Sequence, residues 1–341
     1  MMKTQARRTA IAALTLLLSG TGAASASEFH GASLAVQDMH TQALFSAFNS
    51  IDRIERHLSD SDYANAQPHH RTPDSASWVD VNANSAKQNR FSATAKSGKS
   101  VKGKSKLKAK GMGLAFGMDF PYDRVNRFGL ALHYDKADLS GSTKGDSEQY
   151  GLTAYGMRDI GRIRVMGQAG LLKIKGKGKP SGWSGERTRA QTQVFSLGLR
   201  VEAVLPVYWF DLTPHAGIQL VHSRYDTASY PDGTSVKAKR TSVMRAPLGI
   251  KVQTYYRTDG GLGIQPSADI SVAPQFGKKK TTAEAGGESL HYAVAGSSVT
   301  RLDVGLKVKS RWHSAGLFYS GEKGSESRAA HAISVKYKYT F

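Results

Sequence analysis

The stretch Ala332-Ile-Ser-Val-Lys-Tyr-Lys-Tyr-Thr-Phe341 decides the fold. Ile333, Val335, Tyr337, Tyr339 and Phe341 share one parity; Ala332, Ser334, Lys336, Lys338 and Thr340 share the other. Successive strand side chains point to opposite faces, so one face is continuously apolar and closes on aromatics while its reverse is small or charged. A sandwich strand can alternate in the same way, but it rarely stops on an aromatic terminal residue. The pattern fits a strand with lipid on one side and a hydrated lumen on the other.

The same parity recurs upstream. Met112, Leu114, Phe116, Met118 and Phe120 alternate with glycines, Ala115 and Asp119. Phe195, Leu197, Leu199 and Val201 oppose Ser196, Arg200 and Glu202, and Leu302, Val304, Leu306 and Val308 oppose Asp303 and Lys307. Strand centres fall near residues 82, 114, 131, 153, 167, 197, 217, 248, 268, 304, 317 and 335. Connections at 121–126, 159–161, 206–210, 257–261 and 309–312 are short. Those at 96–108, 137–147, 174–188, 226–240, 277–290 and 321–328 are longer. Strict alternation of short and long is expected of periplasmic turns and external loops. Aromatics flank the short turns, among them Phe120, Tyr122, Tyr208, Trp209, Tyr255, Tyr256 and Trp312, as an interfacial girdle would. The expected fold is therefore all-β: a closed antiparallel transmembrane β-barrel of about twelve strands over residues 76–341, preceded by one α-helix placed to thread the lumen. Pro214, Pro247 and Pro266 fall inside strands, where each removes a ladder bond; bulges are expected to relieve the first and last.

The N-terminus reads as a secretory signal peptide over 1–26. Lys3, Arg7 and Arg8 precede the apolar run Ile11–Leu18, and Ala24-Ser25-Ala26 forms a cleavage site. That run is shorter than the roughly 20 residues a membrane helix needs. Over 27–75 the sequence changes period. Ser33 is a candidate cap, and Leu44, Phe48, Ile51, Ile54 and Leu58 form one stripe of a helix over 33–59. Such a helix is roughly 40 Å long, comparable to a bilayer. Residues 60–75 are polar and read as a linker.

The formal charge is +20, and losing three signal-peptide cations and no acid leaves +17. In an exported chain this excess points away from nucleic acid and to another acidic partner, such as lipopolysaccharide phosphates, polysaccharide or anionic solutes, with outer-membrane lipid and lipopolysaccharide the expected partners. Lys99, Lys102, Lys104, Lys106 and Lys108 crowd one expected external loop as a candidate lipopolysaccharide or anion site. Lys173, Lys175, Lys177 and Lys179 occupy another, and Lys278–Lys280 a third. There is no cysteine, so no disulfide or thiolate metal site is possible. The histidines are scattered without metal-ligand spacing, and no Ser/His/Asp set stands out. No catalytic residue, metal or cofactor is therefore expected, and the chain is read as not an enzyme.

Several segments resemble the β-domain of the classical monomeric autotransporters. They are Leu212-Thr-Pro-His-Ala-Gly217, Ile264-Gln-Pro-Ser-Ala268, Arg301-Leu-Asp-Val-Gly305, Leu317-Phe-Tyr-Ser-Gly321 and Tyr337-Lys-Tyr-Thr-Phe341, with Trp78 beside the first strand. The resemblance covers about 76–341. It implies a twelve-stranded translocator barrel with a helix running through the lumen into the first strand, assembled as a monomer by the barrel-assembly machinery. About fifty residues separate Ala26 from the barrel, too few for an independent passenger core. Self-cleaving members cut at paired asparagines in that helix, whereas Asn49 is isolated. A structural, translocator or surface-interaction role follows, with a basic, anion-preferring porin-like channel as the alternative.

Tyr337, Tyr339 and Phe341 are the expected assembly signal. Deleting Phe341 should impair insertion, read as loss of the heat-modifiable band on gels; unchanged assembly of the deletion would defeat that expectation.

Overall fold

The computed structural model describes residues 35–60, 75–88, 93–95, 106–123, 125–181, 187–229, 235–285, 288–325 and 327–341. The signal peptide, Ser33, the linker over 61–74, and Lys96, Lys99, Lys102 and Lys104 lie outside the described residues.

Twelve antiparallel strands close on themselves. In chain order they are β1 (Ala76–Gln88), β2 (Leu107–Pro121), β3 (Asn126–Gly141), β4 (Thr143–Ile160), β5 (Ile163–Pro180) and β6 (Thr188–Ala203). Next come β7 (Phe210–Tyr225), β8 (Thr241–Arg245 continued by Leu248–Gln253), β9 (Gly263–Gly277), β10 (Ser298–Lys309), β11 (His313–Gly324) and β12 (Arg328–Thr340). Each pairs with its chain neighbour, and β1 pairs with both β2 and β12, from Ala76 opposite Thr340 to Lys87 opposite Ala329. Phe341 adds one more bond, donating its amide to the Ser75 carbonyl at 2.9 Å. No barrel edge is left, as hydrocarbon surroundings require.

Parity places the residues as the alternation predicts. Met112, Leu132, Leu152, Leu171, Leu197, Leu302 and Ile333 face outward and are exposed. Gly117, Thr153, Gln168, Arg200 and Asp303 face inward. Short turns are tight: Asp123 accepts the amides of Val125 (2.8 Å) and Asn126 (2.7 Å). Those bonds and one from the Asn126 side chain hold its carboxyl below the usual range. One inward glycine answers a specific demand. A Cβ on Gly117 would sit 2.4 Å from the Trp78 ring, which crosses it on the way into the lumen.

The strands on one side run further than the loop lengths suggest. β3 and β4 continue to a reversal at Ser142 where a loop over 137–147 was expected, with Gly141 at φ 115°. β5 carries Lys173, Lys175, Lys177 and Lys179 as strand residues, and Lys108 and Lys110 belong to β2. Along these extensions the polarity inverts. Leu107, Ala109, Leu139, Leu172, Ile174, Ala190 and Val194 point inward as a small core, while the lysines point outward. β4 and β5 have 18 residues each. At about 3.3 Å per residue and a tilt of about 40° they rise roughly 45 Å, past an apolar band of about 25 Å.

The strand prolines sit in unbroken register rather than in bulges. Pro214 is opposite Ile250, and Pro266 is opposite Leu306. β8 is interrupted at Ala246-Pro247, yet Arg245 opposite Gln219 and Leu248 opposite Ala216 keep a one-for-one count. There Gly217 donates to the Pro247 carbonyl (2.8 Å) and Ala246 to that of Pro274 (3.0 Å). What Pro247 costs is the reciprocal bond only.

At the outer end, short strands from the long connections form a second sheet. Lys280–Ala285 pairs with Glu288–Ala293, which pairs with Ala93–Ala95, and Lys237 and Ala238 pair with Glu284 and Ala283. Its Tyr292 is buried over the mouth of the lumen, and burial pushes its phenol pKa up.

Gly117→Val should lower the urea midpoint by an amount equal to about 1–3 kcal/mol of overpacking. Gly260→Ala, in an open turn with its nearest foreign atom at 4.0 Å, should leave it unchanged.

Candidate functional site

The lumen is occupied. An α-helix, α1, runs through it over 35–59, with its N-terminal end under the outer sheet and its C-terminal end among the short turns. The apolar stripe is buried as its spacing predicts. The polar faces are buried too: Gln37, Asp38, His40, Thr41, Arg53, Glu55 and His57 are as enclosed as Leu44 or Ile54. Only Ser46, Asn49, Asp52 and Arg56 retain access, along one groove lined mainly by β11, β12, β1, β3 and β4. A helix buried on all sides needs a wall that answers each face, and this wall does so in two zones.

In the outer zone α1 is apolar. Val36, Met39, Ala43, Leu44, Phe45, Ala47, Phe48 and Ile51 pack on the inward core of the strand extensions. Among them His40 meets the Ser223 hydroxyl at 2.8 Å. Two arginines bridge to the next zone. Arg245 lies over the Phe48 ring at 3.7 Å and Arg328 over Phe45 at 3.6 Å, and both pair with Glu322. Planar guanidinium groups suit this task, stacking on an aromatic face while their edges reach a carboxylate.

In the membrane-level zone charge meets charge. Arg53 pairs with Asp135 (2.7 Å) and lies 3.6 Å from Asp80. Arg56 reaches Asp303 at 3.0 Å and Ser320 at 2.6 Å. Asp52 pairs with Arg301, itself held by Asp303 at 2.6 Å. Gln219 donates to Asp52 (2.9 Å) and Glu55 (3.0 Å). Arg200 joins Glu202 (2.7 Å) and Asp269 (3.1 Å) and lies 4.0 Å from Glu55. Buried charges are costly unless paired, so these contacts fix the depth and rotation of α1 more than they add stability.

The last turn of α1 is capped by the wall. Arg164 donates to the carbonyls of Leu58 and Ser59, Lys251 to Ser59 and to the Asp60 carboxylate (2.8 Å), and Lys307 to the Asp60 carbonyl (2.6 Å). Cations there satisfy orphan carbonyls and oppose the negative end of the helix dipole. One turn earlier His57 stacks on Trp78 (4.4 Å between centroids) and bonds Asp119 at 2.9 Å. Asp119 also accepts from Tyr155 (2.8 Å) and Lys338 (3.0 Å). Trp78 donates its indole N–H to the Tyr155 hydroxyl at 2.8 Å.

Two cavities of about 70 and 60 Å³ flank α1, lined by polar and charged side chains. Each is large enough for a few waters. Among the described residues no group of three or more His, Cys, Asp or Glu has a metal-binding arrangement. His215 bonds Asp269 (2.9 Å) and His133 bonds Thr153 (3.0 Å), both as lumen-wall residues.

Of the lysines expected to form an anion-binding loop, Lys106 immediately precedes β2 and Lys108 lies within it, both outward-facing; Lys99, Lys102 and Lys104 are not among the described residues. Tyr337, Tyr339 and Phe341 line up on the outer face at the turn end, Tyr339 and Phe341 stacked at 6.1 Å. The wall residues that grip α1 were visible in the sequence only as scattered lumen charges. The signal for them is a charged residue on the inward parity of an otherwise small, polar row.

A family model described as the autotransporter beta-domain matches residues 88–321. The chain belongs to the autotransporter β-domain family. Among solved structures it is similar to the translocator domain of NalP from Neisseria meningitidis, at 15% identity and a TM-score of 0.62, covering 87% of this chain and 98% of that one. It is similar to the transport unit of AIDA-I from Escherichia coli, at 13% identity and 0.61, covering 83% and 95%. The β-domain of the Bordetella autotransporter Brka matches at 17% identity and 0.58, covering 78% and 99%. No curated protein matches the chain. The chain is thus an outer-membrane autotransporter-like barrel, and translocator barrels of this family are not enzymes.

A double-mutant cycle on this autotransporter β-domain, Arg53→Gln with Asp135→Asn, should return a coupling of about 0.5–3 kcal/mol in urea unfolding. Additive single effects would mean that α1 is not held by that pair.

Proposed function

We propose that this protein is exported by the Sec route and inserted as a monomer by the barrel-assembly machinery. There it serves as a plugged translocator-type barrel that holds the chain N-terminal to α1 at the outer end. The observation that carries this reading is the match between α1 and the wall. Apolar side chains face apolar ones in the outer zone, and at membrane level Asp52, Arg53, Arg56 and Asp60 meet opposite charges while Glu55 and His57 are hydrogen-bonded to Gln219 and Asp119. A helix fitted this closely is a resident of the lumen. The barrel acts by anchoring and orienting α1, with no chemical step of its own.

The porin-like alternative needs an open bore. Among the described residues the lumen beside α1 offers two small cavities, of about 70 and 60 Å³. Its inward rows are mixed in sign, with Asp80, Asp135, Asp269 and Asp303 among the arginines. Such a wall gives no basis for anion preference while α1 is in place.

Planar-bilayer recording on the full chain tests the reading. The unaltered protein should stay closed. Arg53→Glu with Arg56→Glu sets acids against Asp80, Asp135 and Asp303, and should raise conductance several-fold by expelling α1. A steadily open unaltered protein would overturn the plug. If the double variant fails to assemble, protease resistance of 35–59 in the unaltered barrel serves instead, and rapid cleavage there counts against residence.

A further inference from the structure

The outer parts of β2–β6 carry a surface that the occupied lumen does not use. Beyond the last apolar outward residue of each strand stand Lys110, Lys136, Lys173, Lys175, Lys177 and Arg189. Among the described residues the acids on that face are Asp138, Asp146 and Glu148, so cations prevail on it. The charges are borne on paired strands. Lys173, Lys175 and Lys177 repeat about every 6.6 Å along β5, and register sets Lys177 beside Arg189 and Lys175 beside Glu148. On the opposite arc β10 and β11 have 12 residues each and the outward charges thin to Lys323 and His331. The basic surface of β2–β6 therefore does not continue across β10 and β11.

Its depth follows from the ladder. One row of the sheet joins Met112, Lys136, Glu148, Lys175 and Gln191. Met112 is the last outward apolar residue on β2, whereas on β6 it is Phe195, four residues nearer the turn end than Gln191. The border therefore descends one residue per strand across four strands. Strands about 4.8 Å apart and tilted about 40° require a drop of roughly 1.2 residues per strand to stay level. The border is thus a horizontal plane, the outer limit of the hydrocarbon. Tyr134 and Tyr150 lie on it with ring centroids 5.2 Å apart, and the Lys175 ammonium sits 5.7 Å over the Tyr150 ring. Aromatic rings at that depth mark the headgroup layer.

We infer that this arc is a binding site for the phosphate groups of glycolipid headgroups in the outer leaflet. The cations begin where the apolar border ends, so their ammonium groups meet headgroups and not acyl chains. Their stems can lie along the border residues while the charges reach outward. Their spacing is set by the sheet, so several can address one bis-phosphorylated headgroup together. The inference rests on the outer-membrane placement above.

The test uses the full chain in neutral phospholipid vesicles titrated with fluorescent lipid A. The variant Lys136→Gln/Lys173→Gln/Lys175→Gln should bind on the order of a hundredfold more weakly, at roughly fivefold per lysine near a charged surface. Lys278→Gln/Lys279→Gln/Lys280→Gln, basic but outside the arc, should bind as the unaltered protein does. Lipid A stripped of phosphate should bind the unaltered protein as weakly as full lipid A binds the arc variant. Equal affinity in all three proteins, or no dependence on phosphate, overturns the inference. So does displacement by soluble inositol hexaphosphate at the same concentration as by lipid A, which would make the ligand a free anion. Failure of the protein to insert into any vesicle overturns the membrane placement along with it. Should the arc variant not assemble, the unaltered protein must still lose affinity steeply with added salt, and salt-independent binding counts against the site.

Discussion

Hydrocarbon offers no hydrogen-bond partner to a backbone N–H or C=O, and the whole architecture follows from meeting that demand. The pairing of β1 with β12 removes the last open edge and joins the two ends of the barrel sequence. Closure fixes a lumen, and a lumen of twelve strands is wide enough to admit a helix with its side chains. Closure also explains the tolerance for Pro214, Pro247 and Pro266. Each leaves one carbonyl or one ladder position short, but the register around the ring stays one-for-one and the remaining bonds hold it.

Once the ring is closed, the chain faces a second problem: the interior must be filled by something that matches a wall of mixed character. α1 does this by changing character along its own length. Its first half is a core helix among Leu172, Ile174, Val194 and Val221; its second half is an ionic rod among Arg200, Asp269, Arg301 and Asp303. Arg245 and Arg328 stand at the change, each stacked on a phenylalanine of α1 and paired with Glu322. The inversion along the strands is the same device seen from outside. Where lipid ends, outward residues become lysines and inward residues become apolar, and the barrel continues as a soluble protein would.

The legibility of these features differs for physical reasons. Twelve strand centres, the single helix and the lipid-facing parity of Met112, Leu171 or Ile333 could be read directly, because a period of two and a period of 3.6 are local properties of the chain. The extensions of β3–β5 were misread as loops. In Lys173-Ile174-Lys175-Gly176-Lys177 the alternation persists, but its apolar parity has become inward and is thinned by glycine. A reading tuned to outward apolar residues loses the strand there. The apolar stripe of α1 could be read from its spacing, but the burial of its polar faces could not, because a stripe on one side does not say what meets the other.

The sequence by itself determined how many strands form, which face of each meets lipid, where the helix lies in the chain and that the strong positive charge gathers in particular segments. Only the tertiary structure decided that Arg53 belongs to Asp135 and Arg56 to Asp303, that Trp78 crosses Gly117, and that Lys110, Lys136 and Lys173, from three strands, each stand two residues beyond the last outward apolar or tyrosine residue of their strand. Periodicity reports the environment of each residue one at a time, through the solvent it faces. Partnership across a closed lumen depends on register, tilt and the rotation of α1 about its own axis, and those are set jointly by every strand of the ring.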